Sequence, residues 1–156
     1  MLTCNNKHNQ ESLFDSTNWM DPGIIKKLEK SWAPVFYEYV FAKIDEKPFA
    51  PLYSMTGKPN FPVNILLSLE YIKHMRDCSD QEIIESFYFD YQVNYAVGIR
   101  TIGEKNLAIR TLYYFRERVY NYCLENPEKD DILFGQFTNL LKVFAEKAGI
   151  SFGVEG

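Results

Sequence analysis

Helix starts and stops follow one another closely between residues 56 and 119, and this order limits the fold more than any other feature of the sequence. Apolar residues at spacings of three and four predict a helix over 62–76. Ser79 with Glu82 three positions later forms a capping-box pattern, which predicts a new helix there. Gly98 suits the left-handed position just beyond a helix end. The stretch is therefore expected to hold short helices joined by tight connections.

The flanking segments also have helical patterns, and no segment has a convincing strand pattern. Asp21 followed by Pro22 predicts a helix start. Pro34 is expected to open a second, largely buried helix. Helical periodicity returns over 106–125 and 131–149. We predict an all-α fold, a single bundle of about seven helices with a portion that resembles a helix-turn-helix.

Composition divides the chain into an arm and a folded body. Residues 1–20 are polar and lack apolar periodicity, so we expect a flexible N-terminal arm. Residues 21–150 carry the helices, and 46% apolar residues in a chain of 156 can fill one core. No apolar run is long enough to cross a membrane and no signal-peptide pattern is present. The protein is therefore expected to be soluble and cytoplasmic, without a membrane partner, and to keep its three cysteines reduced.

Candidate catalytic and metal-binding groups lack a convincing spacing. Two cysteines and two histidines supply zinc-type ligands: Cys4, His8, His74 and Cys78. Their spacing is more typical of helix residues and of an arm than of a zinc site. Three neighbouring carboxylates, which suit capping better than Mg²⁺ binding, are Asp77, Asp80 and Glu82. We expect no catalytic residue, metal, cofactor or small-molecule substrate for this chain.

Charge is unevenly distributed, although the net charge is -4. Residues 77–97 carry only acidic charges, whereas residues 98–120 carry an excess of basic ones. The overall acidity argues against nucleic acid, and the basic segment weakens that argument. The simplest interpretation is two helix surfaces that attract each other.

The helix over 106–125 is the strongest candidate for a binding element. A helical wheel places Leu112 and Phe115 on one side. The opposite side gathers polar and aromatic residues: Arg110, Tyr114, Glu117, Arg118 and Asn121. Guanidinium groups on such a helix can bind phosphates and, in a major groove, base edges. The alternative is a surface helix whose arginines pair with the acidic segment.

Short motifs in a fixed order connect this stretch to a family. They are GKPNFP at 57–62, SDQEIIE at 79–85, VGI at 97–99, RTL at 110–112 and FRERV at 115–119. Together they resemble the N-terminal domain of bacterial insertion-sequence transposases of the InsH-like, DDE type. Two departures are Gln81, where arginine is common, and the segment 101–109, which lacks the usual proline or histidine.

The resemblance implies a non-catalytic domain that binds double-stranded DNA at the terminal inverted repeats and positions a ribonuclease-H-like catalytic domain. Mg²⁺ would belong to that absent domain, and residues 151–156 would begin the linker to it, so that this chain would be a fragment or a truncated reading frame. The residues expected to contact DNA are Arg100, Lys105, Arg110, Thr111, Tyr114 and Arg118.

A second hypothesis makes the bundle a protein-interaction module that joins two transposase subunits into a homodimer without direct DNA contact. Four aromatic residues would form its exposed surface: Tyr37, Tyr39, Tyr88 and Tyr95. A large contiguous apolar surface would favour this hypothesis.

Overall fold

The computed structural model describes residues 2–149, although not the side chains of 130–134 and 136. Seven α-helices occur in that range: α1 (Pro22–Glu29), α2 (Trp32–Tyr39), α3 (Val63–Met75), α4 (Asp80–Phe89), α5 (Tyr91–Ala96), α6 (Ile109–Glu125) and α7 (Asp130–Ala148). Short 3₁₀ turns complete the described structure, which contains no strand. The predicted all-α class is confirmed. The helix-turn-helix portion stays a prediction, and residues 151–156 lie outside the described range.

Side-chain caps start several helices where the sequence predicts them. The Asp21 carboxylate accepts a hydrogen bond from the Gly23 amide at 2.8 Å, and the Ser79 hydroxyl accepts one from the Glu82 amide at 3.1 Å. Gly98 has a φ of 77°, as expected beyond the end of α5. The structure confirms these helix starts and this helix end. They could be predicted because each signal depends only on neighbouring residues.

The start of α2 differs from the prediction. The helix begins at Trp32, with Ser31 as its cap, and not at Pro34. Proline is tolerated at Pro34 because the first-turn amides of a helix have no partner within the helix. The helix ends at Tyr39, before a 3₁₀ turn at Phe41–Lys43.

Helix α3 lies at the centre of the core. Every side chain from Val63 to Leu69 is buried, and Ile72 follows one turn later. Helix α2 packs on α5 and α7, while α4 contacts both α3 and α6. None of the helices in the described range is long and apolar enough to span a bilayer.

A buried carboxylate caps the N-terminus of α3 from outside the helix. Pro62 precedes α3 and offers no side-chain cap. Glu46 instead accepts hydrogen bonds from the amides of Val63 at 3.1 Å, Asn64 at 3.3 Å and Asn5 at 2.6 Å. Burial raises the pKa of the Glu46 carboxyl above its usual range, while these bonds oppose the shift.

The N-terminal segment lies against the bundle. The Thr3 amide donates to Asn60 Oδ1 at 2.7 Å, and the Ser16 amide donates to the Arg100 carbonyl at 2.8 Å. Asn5 adds the contact with Glu46. Sequence periodicity missed these contacts because they are polar and join distant residues. The flexibility of the segment stays a prediction.

Replacing Glu46 by alanine is expected to lower the free energy of unfolding by about 2 kcal/mol or more, because amides around a buried site lose their acceptor. Urea denaturation followed by far-UV circular dichroism measures this. The control is Glu38→Ala, which removes an exposed carboxylate from α2. Equal stability of the two variants would contradict the capping role of Glu46.

Candidate nucleic-acid interface

An ion-pair network fixes α6 to α3 and α4. Arg116 Nε donates to Glu70 Oε1 at 2.5 Å, and its terminal nitrogens donate to both oxygens of Asp80. Lys73 Nζ lies 2.9 Å from Asp80 Oδ1. Hydrogen bonds from the Arg116 guanidinium hold the pKa of the Asp80 carboxyl well below its usual range. One arginine of the basic segment therefore pairs with the acidic segment, as the simplest interpretation of the charge pattern expects.

The anchored helix turns a different row of side chains outward. Arg110, Tyr114 and Arg118 are exposed and succeed one another by four residues, which places them along one face of α6. Among the described residues, Arg110 has no hydrogen-bond or ion-pair partner. Arg118 Cζ lies 5.0 Å from the centre of the Tyr53 ring. Thr111 is half-buried at the edge of this face.

A small recess of about 130 Å³ opens beside this row. Its lining includes four aromatic residues and several polar ones: Tyr53, Asn60, Phe61, Thr111, Tyr114, Phe115 and Arg118. The loop between Tyr53 and Asn60 carries the exposed side chain of Lys58, so a further cation lies in the loop that borders the recess. Sequence reasoning did not assign Lys58 to the interface, although Lys58 belongs to the GKPNFP motif.

Lys105 precedes α6 on a segment that packs against α4. The Tyr88 hydroxyl lies 2.8 Å from Asn106 Oδ1 and 2.5 Å from the Leu107 carbonyl, which fixes this segment near the start of α6. Lys105 itself is half-buried. The structure thus places it just before the exposed row but not within it.

Arg100 is held in an aromatic cage. Its Cζ lies 3.8 Å from the centre of the Tyr95 ring and 4.6 Å from that of Tyr37, and Nη1 donates to the Tyr95 carbonyl at 2.9 Å. These contacts join α2 and α5 to the segment after α5. The structure therefore separates Arg100, by its contacts, from the α6 row with which the sequence grouped it.

The prediction that four aromatic side chains form an exposed surface is wrong. All four of its members are half-buried: Tyr37, Tyr39, Tyr88 and Tyr95. Tyr37 stacks on Phe41 with ring centres 5.9 Å apart, which covers part of its surface. The sequence could not show this, because the covering groups come from other turns and helices.

The candidate zinc and Mg²⁺ ligands weighed from the sequence do not come together. Within residues 2–149, no three or more histidine, cysteine or carboxylate side chains converge on a point where they could hold a metal ion. Asp80 is instead paired with Arg116 and Lys73.

The Arg116 network predicts a pH-dependent contribution to stability. Asp80 has a lower pKa when folded than its ordinary 3.8, so its stabilising effect is present above about pH 4 and is lost as the pH falls below that value. Arg116→Ala should therefore lower the free energy of unfolding by about 1–3 kcal/mol at pH 7. The difference from the wild type should shrink towards pH 3.

Urea denaturation at the two pH values measures this difference. Arg110→Ala is the matched control, because Arg110 is exposed and unpaired among the described residues. A loss for Arg116→Ala that is the same at both pH values would contradict the assignment to the Asp80 pair.

Comparison with known proteins gives one family. The family model described as Transposase domain (DUF772) matches residues 26–118, which is more than half of the chain and reaches from α1 into α6. The matched range contains the exposed row, the recess and the anchoring network. Neither the curated proteins nor the solved structures gave a match to this chain.

Proposed function

The chain belongs to the Transposase domain (DUF772) family, and from this premise we propose that its bundle binds double-stranded DNA at the terminal repeats of an insertion element. The finer assignment, to the InsH-like DDE type with an Mg²⁺-dependent ribonuclease-H-like domain elsewhere in the transposase, rests on the motif order over 57–119. In this role the bundle positions that catalytic domain for DNA transposition and performs no chemistry itself.

The observation that carries the proposal is that the arginines of α6 differ in their contacts. Arg116 uses its guanidinium for internal ion pairs, whereas Arg110 and Arg118 remain exposed on a helix that Arg116 holds in place. Exposed guanidiniums on a fixed helix bind phosphates at little cost in side-chain ordering, and they displace condensed counterions. Glu117 on the same side limits the net charge of this row.

The acidic segment is compatible with DNA binding because part of it is neutralised internally. Asp80 is paired with Arg116 and Lys73, and Asp90 lies 2.8 Å from Arg76 Nη1. These ion pairs neutralise part of the acidic segment locally, although the net charge of the chain stays -4.

We assign the contacts by their positions. Arg110, Thr111 and Tyr114, near the start of α6, would face base edges in the major groove, which is about 12 Å wide and admits a helix. Arg118, Lys105 and Lys58 would contact phosphates on either side, and such contacts fix the register of the helix on the duplex. Arg100 would act by holding α2 and α5 to the segment that follows α5, since the rings of Tyr95 and Tyr37 enclose its guanidinium.

Removing both exposed arginines tests the proposal. Arg110→Ala with Arg118→Ala should weaken binding to a duplex carrying the terminal repeat by about tenfold or more. The magnitude of the slope of log affinity against log salt should fall by about 1, because Arg118 is the one assigned to a phosphate. Fluorescence anisotropy at several salt concentrations measures both quantities.

The matched control removes two exposed lysines from α1, Lys26→Ala with Lys27→Ala, so the net charge changes equally. Equal weakening by the two double variants would show that only net charge matters and would refute the α6 interface.

A different surface favours the second candidate function, the homodimerisation module. An apolar cleft of about 750 Å³ lies between α3, α6 and α7, with Leu67, Phe115 and Phe137 among its lining. Tyr120 and Leu124 line it too, and they are 65% and 61% exposed. Protruding apolar side chains beside an apolar recess are self-complementary about a two-fold axis.

Leu124→Lys tests this candidate, because a charge in an apolar interface should shift a dimer to the monomer. Ile102→Lys adds the same charge at another partly exposed apolar side chain and should leave the mass unchanged. Sedimentation velocity at several concentrations measures the mass. A wild-type protein that is monomeric throughout would refute the candidate.

A further inference from the structure

We infer that the recess beside Tyr114 takes one unstacked nucleobase of the bound DNA, an inference that rests on the proposed DNA-binding function. Base recognition outside the duplex stack is a distinct property, because a helix can bind a groove without it. The inference follows from the size of the recess, its walls and the charges around it.

The size of the recess suits a single ring system. Its volume of about 130 Å³ is well below the roughly 300–1,000 Å³ of pockets that enclose whole small-molecule ligands. Three of its walls are the rings of Tyr53, Phe61 and Tyr114. A base gains stacking energy on any such ring, whatever its sequence identity.

The walls are already in place without a ligand. Phe61 meets Phe87 edge to face with ring centres 6.2 Å apart, and Phe115 beneath the recess is only 4% exposed. Asn60 Nδ2 donates to the Phe61 carbonyl at 2.8 Å, and Asn60 Oδ1 accepts from the Thr3 amide. The Asn60 amide is therefore used to shape the recess, and a preformed site loses little entropy on binding.

Polar groups remain at the rim for the edge of a base. Thr111 and Arg118 line the recess, and the Arg118 guanidinium also interacts with the Tyr53 side chain. Arg118 lies over the Tyr53 ring, so its guanidinium is held beside the aromatic wall. A hydroxyl and a guanidinium can bind the oxygen and nitrogen acceptors of a base edge.

The surrounding charge favours a nucleic acid over an apolar protein side chain. Arg110 precedes Tyr114 by one turn, Arg118 follows it by one turn, and Lys58 projects from the bordering loop. These three cations would draw the phosphates on either side of an unstacked base towards the protein. An apolar side chain from a protein would gain nothing from them.

The test uses two short duplexes that differ in one position, with 2-aminopurine either paired or extrahelical. The duplex with extrahelical 2-aminopurine should bind at least about fivefold more tightly than the paired one. Its base can stack on tyrosine without first breaking a base pair. The 2-aminopurine fluorescence should fall on binding. Tyr114→Ala should lose both effects, and Tyr114→Phe should keep both because the ring remains.

Tyr113→Ala is the matched control, since it removes an exposed tyrosine of α6 that lies outside the recess. Tyr114 is itself 52% exposed, so the folded state should tolerate its replacement, and a thermal melt checks this. Equal loss in Tyr113→Ala and Tyr114→Ala would overturn the inference.

Two further outcomes separate the inference from the proposed function. Equal, salt-dependent binding of both duplexes without quenching would overturn the nucleobase site and leave duplex binding intact. If neither duplex bound, both the nucleobase site and the proposed DNA-binding function would be overturned. A photoreactive group at position 114 should crosslink to the extrahelical base, and crosslinking only to a second copy of the chain would assign the recess to a protein side chain.

Discussion

The contact between Arg116 and its carboxylate partners determines how α6 can be used. Glu70 belongs to α3, the most deeply buried helix, and Asp80 opens α4, so one guanidinium joins three helices. A planar guanidinium that bonds both oxygens of Asp80 constrains direction as well as distance. The Arg116 contacts, together with buried Leu112 and Phe115, therefore determine which side of α6 faces solvent.

The same network separates structural from available cations. Arg116 and Arg100 lie in the same basic segment as Arg110 and Arg118. Arg116 forms ion pairs, and Arg100 lies against two rings and bonds a carbonyl. Arg118 contacts one ring and stays exposed. A cation that already has protein partners would have to break them to bind phosphate, whereas an exposed one exchanges only water and counterions. This is why the segment's excess of positive charge alone does not define an interface.

Much of the fold followed from local patterns. The all-α class was predicted from helical periodicity along the chain. The starts of α1 and α4 were predicted because a cap and its amide lie within three residues of each other. The start of α2 and the placement of the N-terminal segment were not, since a serine cap competes with a proline signal and polar contacts carry no periodicity. The external cap of α3 by Glu46 likewise joins groups 17 residues apart.

The sequence by itself determined which side of α6 is apolar, and with it the row of Arg110, Tyr114 and Arg118, because helical geometry alone relates residues four apart. It also carried the resemblance to a transposase domain, which the family match supports. Only the tertiary structure decided that Arg116 is an anchor, that Arg100 is enclosed and that Tyr53 and Phe61 complete a recess beside Tyr114. Those contacts join residues far apart in the chain, and their identity depends on how the helices pack.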